Sequence, residues 1–216
     1  MHSLFDMEFI MVDKMAEIIS QKIVTVNGNR EDKEIYVYGL QILLNTFFSI
    51  SIVLLIGFIF NELWGTVVFL FCYCSLRVFA GGLHANTNNM CMAIFIGGYI
   101  FMSIILNYVE VAFNVSVTCV LMLINMSILM WAPVDVPNNP IPISKKKVMK
   151  KKAFFISSTI TIVIFVQIYN RYNEGKWAFA GVCWFSGILI AGKIKNIIYF
   201  RRHYDEKGYK KNLSND

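Results

Sequence analysis

Apolar residues are gathered into long blocks that polar segments separate. A helix needs about 20 apolar residues to cross the hydrocarbon core of a bilayer. Runs of that kind lie at about 39–60, 63–78, 91–108, 112–131, 153–169 and 176–194. Between Gly39 and Val134 the only charged residues are Glu62, Arg77 and Glu110. The pattern predicts an all-α membrane protein with six transmembrane helices.

Residues 1–38 have a different pattern and form a separate predicted region. Apolar residues recur there at steps of four and three, namely at Phe5, Phe9, Val12, Ala16, Ile19 and Ile23. This period places them on one face of an amphipathic helix. The helix is expected to end at the turn-forming residues 27–29. Two placements are compatible with it, on the membrane surface or against a partner subunit.

Charge predicts how the spans are oriented. Only 16% of the residues are charged, against about 25% in soluble domains. If both termini are cytoplasmic, all of the 20 Lys and Arg residues except Arg171 and Lys176 lie on the cytoplasmic side. Six spans with that bias follow the positive-inside rule. We therefore expect a membrane domain over 39–195 and a cytoplasmic basic tail over 196–216.

The segment after the fourth predicted span combines proline with lysine. All four prolines lie there, at Pro133, Pro137, Pro140 and Pro142, and six lysines follow between residues 145 and 152. The composition predicts a cytoplasmic loop over 133–152. The lysines would attract anionic lipid. Lys145, Lys146 and Lys147 are also candidates for docking an acidic peptide, and the two roles are compatible.

The segment between the second and third predicted spans holds the candidate chemistry. A cysteine peptidase needs a thiolate, a histidine that takes its proton, and donors for the developing oxyanion. Cys91 begins the third span, where a helix N-terminus favours a thiolate, and His84 is the candidate base. Gly81 and Gly82 permit a tight turn with positive φ. Arg77 is the only charged residue of the cytoplasmic segment 77–91.

The spacing of the histidine and the cysteine constrains the backbone between them. Seven residues of continuous helix would separate His84 from Cys91 by about 10 Å. Proton transfer needs heavy atoms at about 3 Å. We therefore expect the chain to bend between the two, at the turn-forming residues 86–89.

Several alternatives stay open on the residues alone. A zinc site from Cys72, Cys74, His84 and Cys91 has an unusual spacing, so neither a metal nor another cofactor is expected. A peptide transporter or exporter without protease activity is the main functional alternative, although the two halves show no repeat. A non-catalytic scaffold is another. For a third catalytic residue, Asp135 could orient His84, and so could Asn86 or Asn88. No nucleic-acid partner is expected.

The motif Arg-x-x-x-Gly-Gly-x-His-Ala followed by Cys, which runs here from Arg77 to Cys91, resembles the accessory gene regulator protein B family. The proline loop with its lysine run is similar to that family too. Family members are membrane endopeptidases of Gram-positive bacteria. They remove the C-terminal part of a quorum-sensing propeptide and help to close the remainder into a thiolactone or lactone.

The resemblance implies roles for individual residues and for partners. Cys91 would form the acyl-enzyme, and His84 would act as general base and acid. Arg77 and Gly82 stand at positions that the family needs for activity, and Arg77 would orient the site or bind a substrate carboxylate. The implied partners are a small AgrD-type propeptide with an acidic tail, membrane lipid, and a second copy in a homodimer. The implied location is the bacterial cell membrane, with the active site facing the cytoplasm.

Overall fold

The computed structural model describes residues 14–15, 17–22, 33–83, 87–108, 115–134 and 141–213. Within these residues the regular structure is helical, apart from one isolated backbone bridge between Gly81 and Val134. The all-α prediction is thus confirmed. The long helices are α1 (Lys33–Ile59), α2 (Leu63–Ala80), α3 (Asn88–Tyr108), α4 (Val115–Trp131), α5 (Ile143–Tyr169) and α6 (Asn173–Leu213).

Five of these helices are long and apolar enough to cross a membrane. Their apolar segments are Gly39–Ile59, Leu63–Ala80, Met90–Tyr108, Ser144–Tyr169 and Asn173–Arg201. The described part of α4 has 17 residues, about 25 Å of helix against a hydrocarbon core of ~30 Å. Large apolar side chains such as Leu43 and Phe47 are two-thirds exposed, as lipid-facing residues are. The helices thus agree with the predicted multi-span membrane protein, and the count of six stays a prediction.

Two helices extend beyond the predicted apolar runs. The loop predicted over 133–152 is too long, because α5 begins at Ile143, with Pro142 as its capping residue. All six lysines therefore lie on the first turns of α5, which is compatible with the good helix propensity of lysine. Similarly, α6 continues from the last span through the predicted basic tail as far as Leu213.

Little of the predicted N-terminal amphipathic helix lies among the described residues. Residues 14–15 and 17–22 are helical, and Ser20 is buried with its hydroxyl donating to the Glu17 carbonyl oxygen at 2.8 Å. The predicted apolar positions other than Ile19 lie outside the described residues. The amphipathic stripe and its contacts therefore stay predictions.

Two compact units divide the predicted membrane domain. The first contains the described residues of Met1–Asn61 and Ala85–Phe101, and thus α1 and most of α3. The second contains those of Glu62–His84 and Met102–Asp216, and thus α2, α4, α5, α6 and the end of α3. Cys91 belongs to the first unit, whereas Arg77, Gly81 and Gly82 belong to the second.

Helix α6 is central to the packing of the second unit, where it contacts α2, α4 and α5. Glycines allow α2 and α6 to approach closely, as small residues do between membrane helices. Gly65 of α2 lies against the indole ring of Trp177. A methyl group at Gly181 of α6 would lie 2.8 Å from the Phe69 carbonyl oxygen.

Hydrogen bonds between polar side chains supplement this packing. Trp177 Nε1 donates to Glu62 Oε2 at 3.2 Å, which joins the N-terminal ends of α6 and α2. Between α4 and α5, Asn125 Nδ2 donates to Thr161 Oγ1 at 2.8 Å, and Ser157 Oγ donates to Asn125 Oδ1 at 2.8 Å. Such bonds between membrane helices are worth about 0.6–2 kcal/mol each.

Gly65→Ala is expected to destabilise the protein, because the added methyl group would collide with the ring of Trp177, which is only 2% exposed. Overpacking of this kind costs about 1–3 kcal/mol. Gly97→Ala is the matched control, because Gly97 is an exposed helical glycine, and no described residue outside its own helix backbone lies within 4 Å of its Cβ position. Thermal unfolding in detergent should show a lower midpoint for Gly65→Ala only. Equal midpoints would contradict the close α2–α6 contact.

Candidate active site

Cys91 lies in the first turn of α3, directly after a capped helix N-terminus. Thr87 is the capping residue, because its Oγ1 accepts a hydrogen bond from the Met90 N–H at 3.3 Å, the usual N-cap geometry. The Cys91 N–H donates to the Thr87 carbonyl oxygen at 3.2 Å. The thiol is half-buried. It therefore stands beside the positive end of the helix dipole.

The helix that carries Cys91 does not extend back to the candidate base. Helix α2 ends at Ala80 and α3 begins at Asn88, so no single helix contains both residue 84 and residue 91. This part of the bend prediction is confirmed, but its position is partly wrong, because Asn88 and Asn89 already belong to α3. His84 and Asn86 lie outside the described residues, as does the Asn88 side chain, and the contact of His84 with Cys91 stays a prediction.

The three residues Gly81, Gly82 and Leu83, here called the strap, lead from α2 toward His84. Gly81 has φ +70°, a conformation that favours glycine. The strap begins beside the start of the proline loop, where the Val134 N–H donates to the Ala80 carbonyl oxygen at 3.0 Å. A methyl group at Gly81 would lie 2.6 Å from the Val134 carbonyl oxygen. Glycine is therefore required at this crossing for both conformation and space.

Helix α6 holds the other side of the strap. The Leu83 N–H donates to the Ile188 carbonyl oxygen at 3.1 Å. One turn further along α6, a methyl group at Gly192 would lie 2.6 Å from the Gly82 carbonyl carbon and 2.6 Å from the Leu83 nitrogen. Gly82 itself has φ +138°. The buried Gly192 thus lets the strap backbone lie directly on α6.

Arg77 binds the end of the strap from α2. Its Nη2 donates to the Leu83 carbonyl oxygen at 3.0 Å. Its guanidinium carbon lies 5.9 Å from the ring centroid of Tyr73, within the range of a cation–π contact. A methyl group at Gly82 would lie 3.2 Å from Arg77 Nη1. The position of the Arg77 guanidinium therefore depends on the absence of a side chain at Gly82.

Tertiary structure adds residues to the site that the sequence analysis did not name. Three of these residues lie far from the strap in sequence, namely Val134, Ile188 and Gly192. Two of them, Ile188 and Gly192, also belong to a predicted apolar run. Gly192 resembles any helix-packing glycine, so no local signal marks it. Tyr73, by contrast, lies four residues before Arg77 on α2, and this spacing could have revealed it.

Some of the remaining predicted site residues lie in the described part of the chain, and others lie outside it. Asp135 lies outside the described residues, directly after Val134. Lys145 and Lys147 are exposed on the first turns of α5, and Lys146 is half-buried. All five cysteines are free thiols. Among the described residues, no three His, Cys, Asp or Glu residues are grouped to hold a metal ion.

Comparison with known proteins identifies the family. Residues 12–190 match the sequence model of accessory gene regulator B. The chain belongs to the accessory gene regulator B family. It is 31% identical over 180 residues to AgrB-like protein 2 of Clostridium perfringens (strain 13 / Type A), an alignment that covers 79% of this chain and 83% of the relative.

A second relative shows the same likeness over most of the chain. It is an AgrB-like protein of Clostridium perfringens (strain SM101 / Type A), 32% identical over 175 residues, which are 76% of this chain and 81% of the relative. No solved structure matches the chain significantly. Membership in the accessory gene regulator B family indicates a multi-span bacterial membrane protein of a quorum-sensing system, in a family that processes propeptides.

Gly192→Ala is expected to displace the strap from α6, because the new methyl group would meet the Gly82–Leu83 backbone. Loss of the Leu83–Ile188 hydrogen bond should speed amide exchange at residues 81–83 about tenfold, as a ~1.4 kcal/mol easier local opening would. Hydrogen–deuterium exchange read by mass spectrometry measures this. Gly187→Ala is the control on the same helix, because Gly187 is exposed and, within the described part of the chain, only its own helix backbone comes within 4 Å of its Cβ position. Unchanged exchange in Gly192→Ala would refute the contact.

Proposed function

We propose that this protein is a membrane cysteine endopeptidase that cleaves the C-terminal part of an AgrD-type quorum-sensing propeptide and promotes cyclisation of the remaining peptide. One observation carries the proposal, given the family of the chain. Cys91 lies half-buried in the first turn of α3 after the Thr87 cap, which places a nucleophile beside the positive end of the helix dipole and at the start of a candidate membrane span.

In the proposed cleavage step, His84 takes the proton from the Cys91 thiol, and the thiolate attacks the scissile carbonyl carbon. The tetrahedral oxyanion needs nearby donors. When the intermediate collapses, the carbon–nitrogen bond breaks and His84 returns the proton to the leaving amine. The C-terminal fragment leaves with a free amine, and the remaining peptide is held as a thioester on Cys91.

Cyclisation follows from the same thioester. A thiol within the bound peptide gives its proton to His84 and attacks the acyl carbon. The bond from that carbon to Cys91 breaks, the Cys91 thiolate leaves, and a thiolactone is closed. One thioester replaces another, so the exchange is nearly neutral in free energy. A peptide hydroxyl in place of the thiol would give a lactone. Water would hydrolyse the thioester instead, and a site at the membrane boundary limits that side reaction.

Arg77 is proposed as a positioning residue rather than a binding group for a substrate carboxylate. Its guanidinium already donates to the Leu83 carbonyl oxygen, and Leu83 is the residue before His84. Gly81 and Gly82 support the same strap through their conformation and their lack of side chains. Asp135, Asn86 and Asn88 are the candidates for a group that orients the His84 ring.

The proposal includes the arrangement in the membrane. Six spans with both termini in the cytoplasm would place Cys91 and His84 on the cytoplasmic side, together with most of the Lys and Arg residues. The exposed Lys145 and Lys147, with Lys146, would attract the acidic tail of the propeptide. Membrane lipid and a second copy of the chain complete the proposed partners.

Cys91→Ser and His84→Ala should each abolish processing of a co-expressed propeptide, because the first removes the thiolate and the second its base. Cys119→Ser is the matched control, because Cys119 is an exposed thiol on α4 and should leave processing intact. Cleavage is measured by mass spectrometry of the peptide products. A peptide held as a thioester on Cys91 would support the proposal directly.

Two results would contradict the proposal that this protein is a cysteine endopeptidase. Processing that survives both Cys91→Ser and His84→Ala would refute the peptidase assignment. In the same two variants, loss of the cyclic product outside the cell while cleavage continues inside would favour the peptide exporter instead.

A further inference from the structure

An apolar groove runs between α2 and α5 within the second unit. Its volume is about 550 Å³, within the usual range for sites that hold a small ligand. Its walls include Phe71, Cys74 and Val78 on α2 and Phe155, Ile156 and Thr159 on α5. Both helices are apolar enough to cross the membrane along this part of their length. The groove therefore faces the bilayer core and suits an apolar occupant.

The groove is open along its side. Phe71, Val78 and Phe155 are 68%, 67% and 73% exposed, whereas Ile160 at the floor is buried. In a membrane, exposed apolar side chains of this kind contact lipid chains. An occupant can thus enter sideways from the bilayer.

A positive charge stands at one end of the groove. Lys152 is exposed, and its Nζ lies 5.7 Å from the ring centroid of Phe79, which also lines the groove. Lys152 precedes Phe155 and Ile156 by three and four residues, so all three share one face of α5. The apolar groove therefore has a positively charged side chain at one end.

We propose that the groove binds one acyl chain of an anionic phospholipid, whose phosphate pairs with Lys152. Basic pockets between membrane helices are known to bind anionic head groups. An acidic peptide fits the groove less well, because its backbone N–H and C=O groups would need polar partners. Among the groove-lining side chains, Ser75, Thr159 and Cys74 are the only ones with a polar atom. This lipid site goes beyond the proposed peptidase and does not depend on it.

The test uses the purified full-length protein in detergent with equal amounts of phosphatidylglycerol and phosphatidylcholine that carry the same acyl chains. Native mass spectrometry should show preferential retention of phosphatidylglycerol. Lys152→Gln should weaken that retention about fivefold, which corresponds to the ~1 kcal/mol that one lysine contributes near an anionic surface. Thr159→Trp should fill the groove and lower the retention of both lipids.

Lys147→Gln is the matched control. Lys147 is an exposed lysine on the same helix, five residues before Lys152 and so rotated by about 140° around the axis. The attraction of Lys147 to the surface of an anionic bilayer is absent in detergent, so Lys147→Gln should retain phosphatidylglycerol like the unmodified protein. Val78→Trp fills the groove from α2 and replaces Thr159→Trp if that variant does not fold.

Four results would overturn the proposal. They are equal retention of the two lipids, an equal loss in Lys147→Gln and Lys152→Gln, unchanged retention in both groove-filling variants, and displacement of the lipid by an acidic peptide that itself needs Lys152. The first three would indicate unspecific lipid contact, and the last a peptide site.

Discussion

Backbone polar groups beside a membrane span must find partners within the protein, because lipid offers none. The strap is such a segment, since it leaves α2 at Ala80 without continuing as a helix. Its partners come from three directions. Ile188 of α6 accepts from the Leu83 N–H, Val134 donates to the Ala80 carbonyl at the start of the strap, and Arg77 donates to the Leu83 carbonyl. Together they fix the backbone that leads to His84.

The same requirement links the packing of the second unit to the proposed site. Helix α6 carries Trp177, which packs on Gly65 and binds Glu62 near one end of α2. Further along, α6 carries Ile188 and Gly192, which hold the strap beyond the other end of α2. The pair α2 and α6 therefore forms the core contact and also positions the start of the candidate catalytic segment. Changes in how these helices pack would be transmitted to the strap.

Helix α5 shows how charge and apolar surface are combined on one element. Its first turns carry the six lysines, and its apolar length follows without a break. The lysines are therefore held in a helical register instead of a loop. That register brings Lys152 onto the face that lines the groove. Lys145 lies two turns earlier on the same side of α5, whereas the other four lysines lie about 100° or more away around the axis. A lysine in a loop would have no such fixed relation to an apolar surface.

Much of the fold and part of the site could be predicted from local sequence. Apolar runs of membrane length predict spans because the bilayer imposes that length, and the apolar segments of α1, α2 and α3 match the predicted runs to within two residues. Cys91, His84, Arg77 and the glycine pair could be named because they lie within one short segment. The boundaries of α5 and α6 could not be predicted, since a hydropathy pattern ends where lysines begin, whereas the helix does not.

Contacts between distant residues explain what the sequence left open. The need for glycine at Gly82 and the orientation of Arg77 depend on each other and on α6, more than 100 residues away. Hydropathy and local motifs do not predict such a contact. A buried glycine in an apolar helix has the same local sequence pattern whether it packs against another helix or against a loop segment. The sequence by itself therefore determined the membrane character and the candidate catalytic residues. Only the tertiary structure determined how the strap before His84 is held, because backbone hydrogen bonds and close packing form only when the helices assemble.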